Sequence, residues 1–194
     1  ATRVDVFLES GGQGCIRVQD DGAGIAPGEL ELAVTRHATS KIRKKEDLEA
    51  IGTLGFRGEA LAAISAVSRV DLLTKPAGAA VGTAVKLNAG TIVSCEDAGC
   101  PDGTTIIVRD LFFNTPARMK FMKKDSAESA AISGVVQHLA LSHPHISFKL
   151  IRDGQETLHT PGDGQLYSAV YAAMGRDFAL SLLPIEGRGG EVEV

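Results

Sequence analysis

Gly52-Thr53-Leu54-Gly55-Phe56-Arg57-Gly58-Glu59-Ala60-Leu61 places three glycines within seven residues and runs straight into a helix-forming segment, residues 59–67. A glycine-rich loop that enters a helix gathers unpaired backbone N–H groups at the positive end of the helix dipole. Such a place suits phosphate, and glycine keeps side chains clear of the phosphate oxygens. A tight turn ahead of a core helix accounts for the same residues, so the reading depends on what surrounds it.

Upstream, Ile16-Arg17-Val18-Gln19 alternates apolar and polar residues as a half-buried strand does, then enters Asp20-Asp21-Gly22-Ala23-Gly24-Ile25. A carboxylate at a strand end before glycines can accept a hydrogen bond from an amino group pressed against the loop, as adenine would offer. An Asp-Gly turn after a strand is the plain alternative. Pro27 stands where a Rossmann fingerprint needs its third glycine, calcium-loop spacing fails, and Gly58 is followed by Glu59 rather than by the lysine of a Walker A loop. If the chain binds a nucleotide, it therefore does so without a P-loop or a Rossmann turn. Between the glycine motifs lie Arg36-His37-Ala38-Thr39-Ser40-Lys41 and the polar run Arg43-Lys44-Lys45-Glu46-Asp47, readable as a lid or as a solvated loop. A fourth segment opens with Asp102-Gly103-Thr104-Thr105 and a β-branched strand, and leaves it through Leu111-Phe112-Phe113-Asn114-Thr115-Pro116-Ala117-Arg118.

In this order the strings DDGAGI, RHATSK, GFRGEAL and LFFNTPAR resemble the MutL family of DNA mismatch-repair ATPases, within the GHKL group of gyrase, heat-shock chaperone, histidine kinase and MutL. The first string belongs to the whole group; the others narrow it to MutL, and the resemblance runs over nearly the whole chain. It implies an α+β fold: a two-layer GHKL (Bergerat) sandwich over residues 1–160, then the start of a ribosomal-protein-S-five-like unit over 161–194, a tail expected to pack poorly or to be held by lattice or partner contacts. It implies ATP and Mg²⁺ as ligands. Asp20 would bond the adenine amino group, supported by Gly22, Gly24, Gly103 and Thr104. Thr39, Ser40 and Lys41 would lie along the phosphates in the lid. Backbone N–H groups over Gly55, Phe56, Arg57, Gly58, Glu59, Ala60 and Leu61 would hold the terminal phosphates. The Glu59 carboxylate would repel phosphate and is read as structural or lid-contacting.

The family's general base and magnesium-binding asparagine are expected upstream of Ala1, and its γ-phosphate lysine beyond Val194. No catalytic residue or metal ligand is therefore assigned within the chain, and ATPase activity is expected of a longer parent rather than of residues 1–194. Implied partners are a second copy, through N-terminal regions on ATP binding, the mismatch-recognition protein MutS, and DNA, weakly and without sequence preference. The implied location is cytoplasmic and nucleoid-associated if the source is bacterial. A type II topoisomerase ATPase subunit and a non-catalytic DNA-binding or interaction module are the alternatives; RHATSK and NTPAR speak against the first.

Composition agrees with a folded chain. The 194 residues are 44% hydrophobic and 23% charged with mean hydropathy +0.07, enough for one domain or one domain and part of another. With no Trp and 5% aromatics, the core must rest on Val, Leu, Ile and Ala. A formal charge of −4 gives no bulk drive toward DNA, although local basicity occurs at 36–45 and at Arg118, Lys120, Lys123 and Lys124. No apolar run approaches the roughly 20 residues of a membrane span. Cys15, Cys95 and Cys100 read as free thiols, and His143-Pro144-His145 as a helix-to-strand turn. Strands are expected at 4–8, 16–19, 70–74, 80–87, 91–95, 104–109, 146–151 and 156–159. Helices are expected at 27–35, 59–67, 126–141 and 166–174, the third with Ile132, Val135, Val136, Leu139 and Ala140 on one face.

Overall fold

The computed structural model describes residues 1–34 and 59–183 and the short strands at 188–189 and 192–193. Its strands are β1 Arg3–Glu9, β2 Cys15–Asp20, β3 Arg69–Lys75, β4 Gly82–Asn88, β5 Thr91–Ala98, β6 Gly103–Arg109, β7 Ser147–Arg152 and β8 Gln155–His159; Arg188–Gly189 (β9) pairs with Val192–Glu193 (β10). Its helices are α1 Pro27–Val34, α2 Ala60–Ser65, α3 Pro116–Met119, α4 Asp125–Ser142, α5 Leu166–Met174 and α6 Arg176–Ser181.

Eight strands form one sheet in the order β5-β4-β3-β6-β2-β1-β7-β8. Neighbours are antiparallel except β1 and β7, which run parallel, β7 following α4 in the chain. Register makes the sheet two-sided. Val4, Val6 and Leu8 stand beside Phe148 and Leu150 on one flank, while Ile16 and Val18 on the other lead on to Ile106 and Val108, Val70 and Leu72, then Val85 and Leu87. All of these share one face by the two-residue period of a strand. The opposite face carries Arg3 paired with Asp5, Arg109 paired with Asp71, and Arg17 stacked on the Phe7 ring. The expected α+β two-layer arrangement is thus present.

The apolar face is covered in two places. Beneath α4, Val136 and Ala140 pack with Val6, Leu8, Phe148, Leu150 and Leu158. Beneath α1 and α2, Leu30 packs with Val70, Leu72, Val85, Leu87 and Val108, with Ile25, Val34 and Leu61 at its margin. Ile16 touches both clusters and makes the layer continuous.

Three expectations are corrected. Val135 is 60% exposed, not buried: it sits about 100° around α4 from Val136, and the sheet covers a narrower stripe than the expected face. α2 is six residues long, shorter than residues 59–67 suggest. Two serines end it, the Ser65 hydroxyl donating to the Ala62 carbonyl at 3.0 Å and the Ser68 hydroxyl to the Ile64 carbonyl at 2.6 Å. The tail as far as α5 is not loosely placed. Ala169 is buried, Ala173 joins the cluster under α4, and Gln137 Nε2 donates to the Ala173 carbonyl at 2.6 Å. Elsewhere the turns follow their sequence signals: β7 and β8 join through Asp153 and Gly154, both at positive φ, and His143 caps α4 just ahead of β7.

Candidate functional site

The apolar face of the sheet does not stay apolar to its end. One row beyond Val18, Ile106, Leu72 and Val85 stand Asp20, Thr104, Thr74 and Thr83, side by side on β2, β6, β3 and β4. Thr74 is 1% exposed. A carboxylate and hydroxyls thus end the hydrocarbon layer, and such a juxtaposition, apolar on one side with hydrogen-bonding groups at one rim, is chemically suited to a flat, partly polar ring.

Adjacent carboxylates at this rim do different work. Asp21 clamps the start of β1, accepting the backbone N–H of Thr2 at 2.7 Å and of Arg3 at 2.9 Å as well as the Thr2 hydroxyl. Those donors, the Thr2 hydroxyl foremost, hold its carboxyl down at about 2. Asp20 Oδ1 accepts the Gly22 N–H at 2.8 Å, which fixes the carboxylate and leaves its second oxygen for another donor. A Cβ at Gly22 would stand 2.7 Å from that Oδ1.

Two glycines bring the loops together. Gly24, at φ +71°, lies against β3 so closely that a Cβ would be 2.4 Å from the Lys75 carbonyl oxygen. Gly103, at φ +103°, lies against β2, where a Cβ would be 2.1 Å from the Asp20 carbonyl oxygen. Both need the left-handed region that glycine adopts without a steric cost, and both need the missing side chain. Thr74 joins them. Its Oγ1 accepts the Ile25 N–H at 2.8 Å, donates to the Gly103 carbonyl at 3.1 Å and lies 3.1 Å from the Thr104 hydroxyl.

The structure therefore brings Asp20, Gly22, Gly24, Gly103 and Thr104 into one cluster. Leu61 packs near Ile25 on the cluster beneath α1 and α2, which sets the start of α2, with Glu59 and Ala60, over that same half of the sheet. Thr39, Ser40, Lys41, Gly55, Phe56, Arg57 and Gly58 lie outside the described residues. Thr74 was missed by sequence reasoning, although Val70, Leu72 and Thr74 share one face and the threonine is the polar member of that buried series.

LFFNTPAR is a clasp on the far end of α2. Asn114 Nδ2 donates to the Ala66 carbonyl at 2.9 Å and the Phe112 N–H to the Val67 carbonyl at 2.7 Å, with Asp110 and Phe112 at φ 52° and 66°. Arg118 at its end, and Lys120, Lys123 and Lys124 beyond it, are exposed. All three cysteines are free, and burial raises the Cys15 thiol above its ordinary value. Among the described residues no group of three or more His, Cys, Asp or Glu is placed to hold a metal, and no helix is long and apolar enough to cross a membrane.

The chain is similar along its whole length to curated MutL proteins. It is 45% identical over 194 residues to "DNA mismatch repair protein MutL" of Symbiobacterium thermophilum, covering 100% of this chain and 31% of that protein. It is 44% identical over 194 residues to the Neisseria meningitidis MutL, covering 100% of this chain and 29% of the relative. The chain thus spans about a third of the length of the curated relatives it matches. Among solved structures, the Aquifex aeolicus MutL ATPase domain complexed with ADP superposes with TM-score 0.70 at 32% identity, over 90% of this chain and 61% of that one. The N-terminal domain of a DNA repair protein gives TM-score 0.74 at 25% identity, over 90% and 52%. No protein-family model matches the chain.

Proposed function

Because this chain belongs to the MutL family and carries its GHKL ATPase-domain fold, we propose that it is the nucleotide-binding part of a DNA mismatch-repair ATPase. The observation that carries this is the polar row at the end of the apolar face, where Asp20 and Thr104 stand opposite each other on neighbouring strands. An adenine ring lies on the apolar side chains there, its amino group donating to the free oxygen of Asp20. Gly22, Gly24 and Gly103 let the backbone close around the ring.

Thr39, Ser40 and Lys41 then line the phosphates, and backbone N–H groups from Gly55 through Phe56, Arg57, Gly58, Glu59 and Ala60 to Leu61 hold their end. The ADP of the Aquifex relative supports a nucleotide of this class. Mg²⁺ accompanies ATP by family analogy, and the described residues supply no ligand set for it. Hydrolysis, pairing of two copies on ATP binding, response to the mismatch-recognition protein MutS, and weak contact with DNA are proposed for the longer protein, acting in the cytoplasm. Residues 1–160 form the nucleotide unit, and the second unit starts within 161–194. The relatives do not favour a topoisomerase subunit or a non-catalytic module.

Titration calorimetry with ADP tests the reading on the full chain and on Asp20→Asn. A hydrogen bond to a charged group is worth about 1.5–3 kcal/mol, so the variant loses about one to two orders of magnitude in affinity. Equal affinity in the two proteins removes Asp20 from the base site.

A further inference from the structure

We propose that Thr74 is a positioning residue that makes this site select an amino group over a carbonyl on the bound base; the proposal rests on the nucleotide reading above. The argument is a count of protons. A threonine hydroxyl has one hydrogen to give and two lone pairs to receive with. One lone pair of Thr74 Oγ1 receives the Ile25 N–H at 2.8 Å. Its hydrogen has two neighbours, each at 3.1 Å: the Gly103 carbonyl and the Thr104 hydroxyl. The carbonyl is the stronger acceptor and cannot donate, so it takes the hydrogen. Thr104 then satisfies the second lone pair of Thr74 by donating its own hydrogen.

What remains of Thr104 for a ligand is lone pairs. Its neighbour across the β2–β6 ladder is Asp20, a carboxylate with one oxygen already engaged by Gly22 and one left over. Among the described residues, the rim thus offers acceptors from two adjacent strands and no donor between them. An exocyclic amino group, with two N–H bonds, matches that pair; a carbonyl oxygen in its place faces only lone pairs. A bare Thr104 could turn its hydroxyl round and donate to such a carbonyl. Thr74, 1% exposed and held by the Ile25 N–H, prevents it. The same hydroxyl ties the Gly24–Ile25 loop to the Gly103 turn, so the loop and the acceptor pair keep one geometry.

Calorimetry with ADP and with inosine diphosphate, whose base carries a carbonyl in place of the amino group, tests this on the full chain. Wild type prefers ADP. Thr74→Ser keeps the hydroxyl and keeps the preference within about twofold. Thr74→Val keeps the shape and removes the hydroxyl, and the ADP-to-IDP ratio narrows by about tenfold, the scale of one hydrogen bond exchanged for one repulsion. A purely structural role would lower both affinities in proportion, and that result, like an unchanged ratio, overturns the proposal. Wild type that binds neither ligand overturns the nucleotide reading itself, and wild type that binds both equally overturns the proposal. Should Thr74→Val not fold, amide hydrogen exchange on wild type decides: ADP slows exchange at Ile25 and IDP does so less. Exchange at Ile25 that ignores ADP under saturating conditions refutes the role of Thr74.

Discussion

Gly103→Ala should be among the most damaging single-methyl additions to this protein. Two costs combine. An L residue at φ +103° leaves the allowed regions, at about 1–2 kcal/mol for the left-handed backbone. The added Cβ would also lie 2.1 Å from the Asp20 carbonyl oxygen and 2.8 Å from the Asp21 Cα, backbone atoms that cannot rotate away. Overpacking of this kind costs about 1–3 kcal/mol. The sum, about 2–5 kcal/mol, lowers the melting temperature of a domain this size by about 4–20 °C. Gly78→Ala supplies the control: it meets the same class of backbone penalty at φ +82° but nothing lies within 4 Å of its Cβ. It should lose only about 2–8 °C, the share of the backbone term. Thermal unfolding by circular dichroism measures both. Equal melting temperatures for the two variants would show that β2 and β6 do not close as tightly at this point as the contact distance requires. Calorimetry adds a second discriminator, since Gly103→Ala displaces Asp20 and weakens ADP binding whereas Gly78→Ala leaves it intact.

Leu72→Ala removes a fully buried side chain from the cluster under α1 and α2 and should cost about 2.7–5 kcal/mol in urea unfolding. Ala89→Gly goes the other way: Ala89 sits at φ 49° on the surface, and glycine should stabilise the protein by up to about 1 kcal/mol in the same assay. The Asp21 carboxyl is depressed to about 2 from 3.8, so its contribution is fully present above pH 4 and is lost as pH falls from 3.8 through 2. Because Asp21 is exposed the effect is modest, and stability-versus-pH curves for wild type and Asp21→Asn should differ in slope only inside that window.

Much of this was legible because local rules and the global fold agree. The β1–β2 hairpin, the Asp153-Gly154 turn and helix α5 appear where alternation, turn residues and apolar spacing put them. Asp20, Gly22, Gly24, Gly103 and Thr104 were named from two separate segments and meet at one rim. The failures have physical causes. A strand threonine is ordinary in a β-branched run, and only the register, which sets Thr74 beside Thr104, makes it part of the site. Val135 follows the helical period but lies outside the stripe the sheet can cover. Helix α6 was not anticipated because Gly175 signals a stop, whereas here it both ends α5 and begins α6. α2 stops at Ser65, short of the helix-forming run to residue 67, because the Ser65 hydroxyl and, from beyond the helix, the Ser68 hydroxyl take its last carbonyls in the folded chain, which local propensity does not signal.

The parallel pairing of β1 with β7 has a consequence for biogenesis. Arg3 meets Ser147, so 147 − 3 = 144 residues of chain must emerge before the first strand finds its second neighbour. At about 5–20 residues per second of synthesis, that is roughly 7–30 s during which β1, already paired with β2, shows an open strand edge to its surroundings. Val4, Val6 and Leu8 wait through the same interval for Phe148, Leu150 and the helix that covers them. The nascent chain is therefore most exposed to mispairing with other unfinished chains in this period, and most in need of a holdase, until β7 leaves the ribosome and pairs with β1.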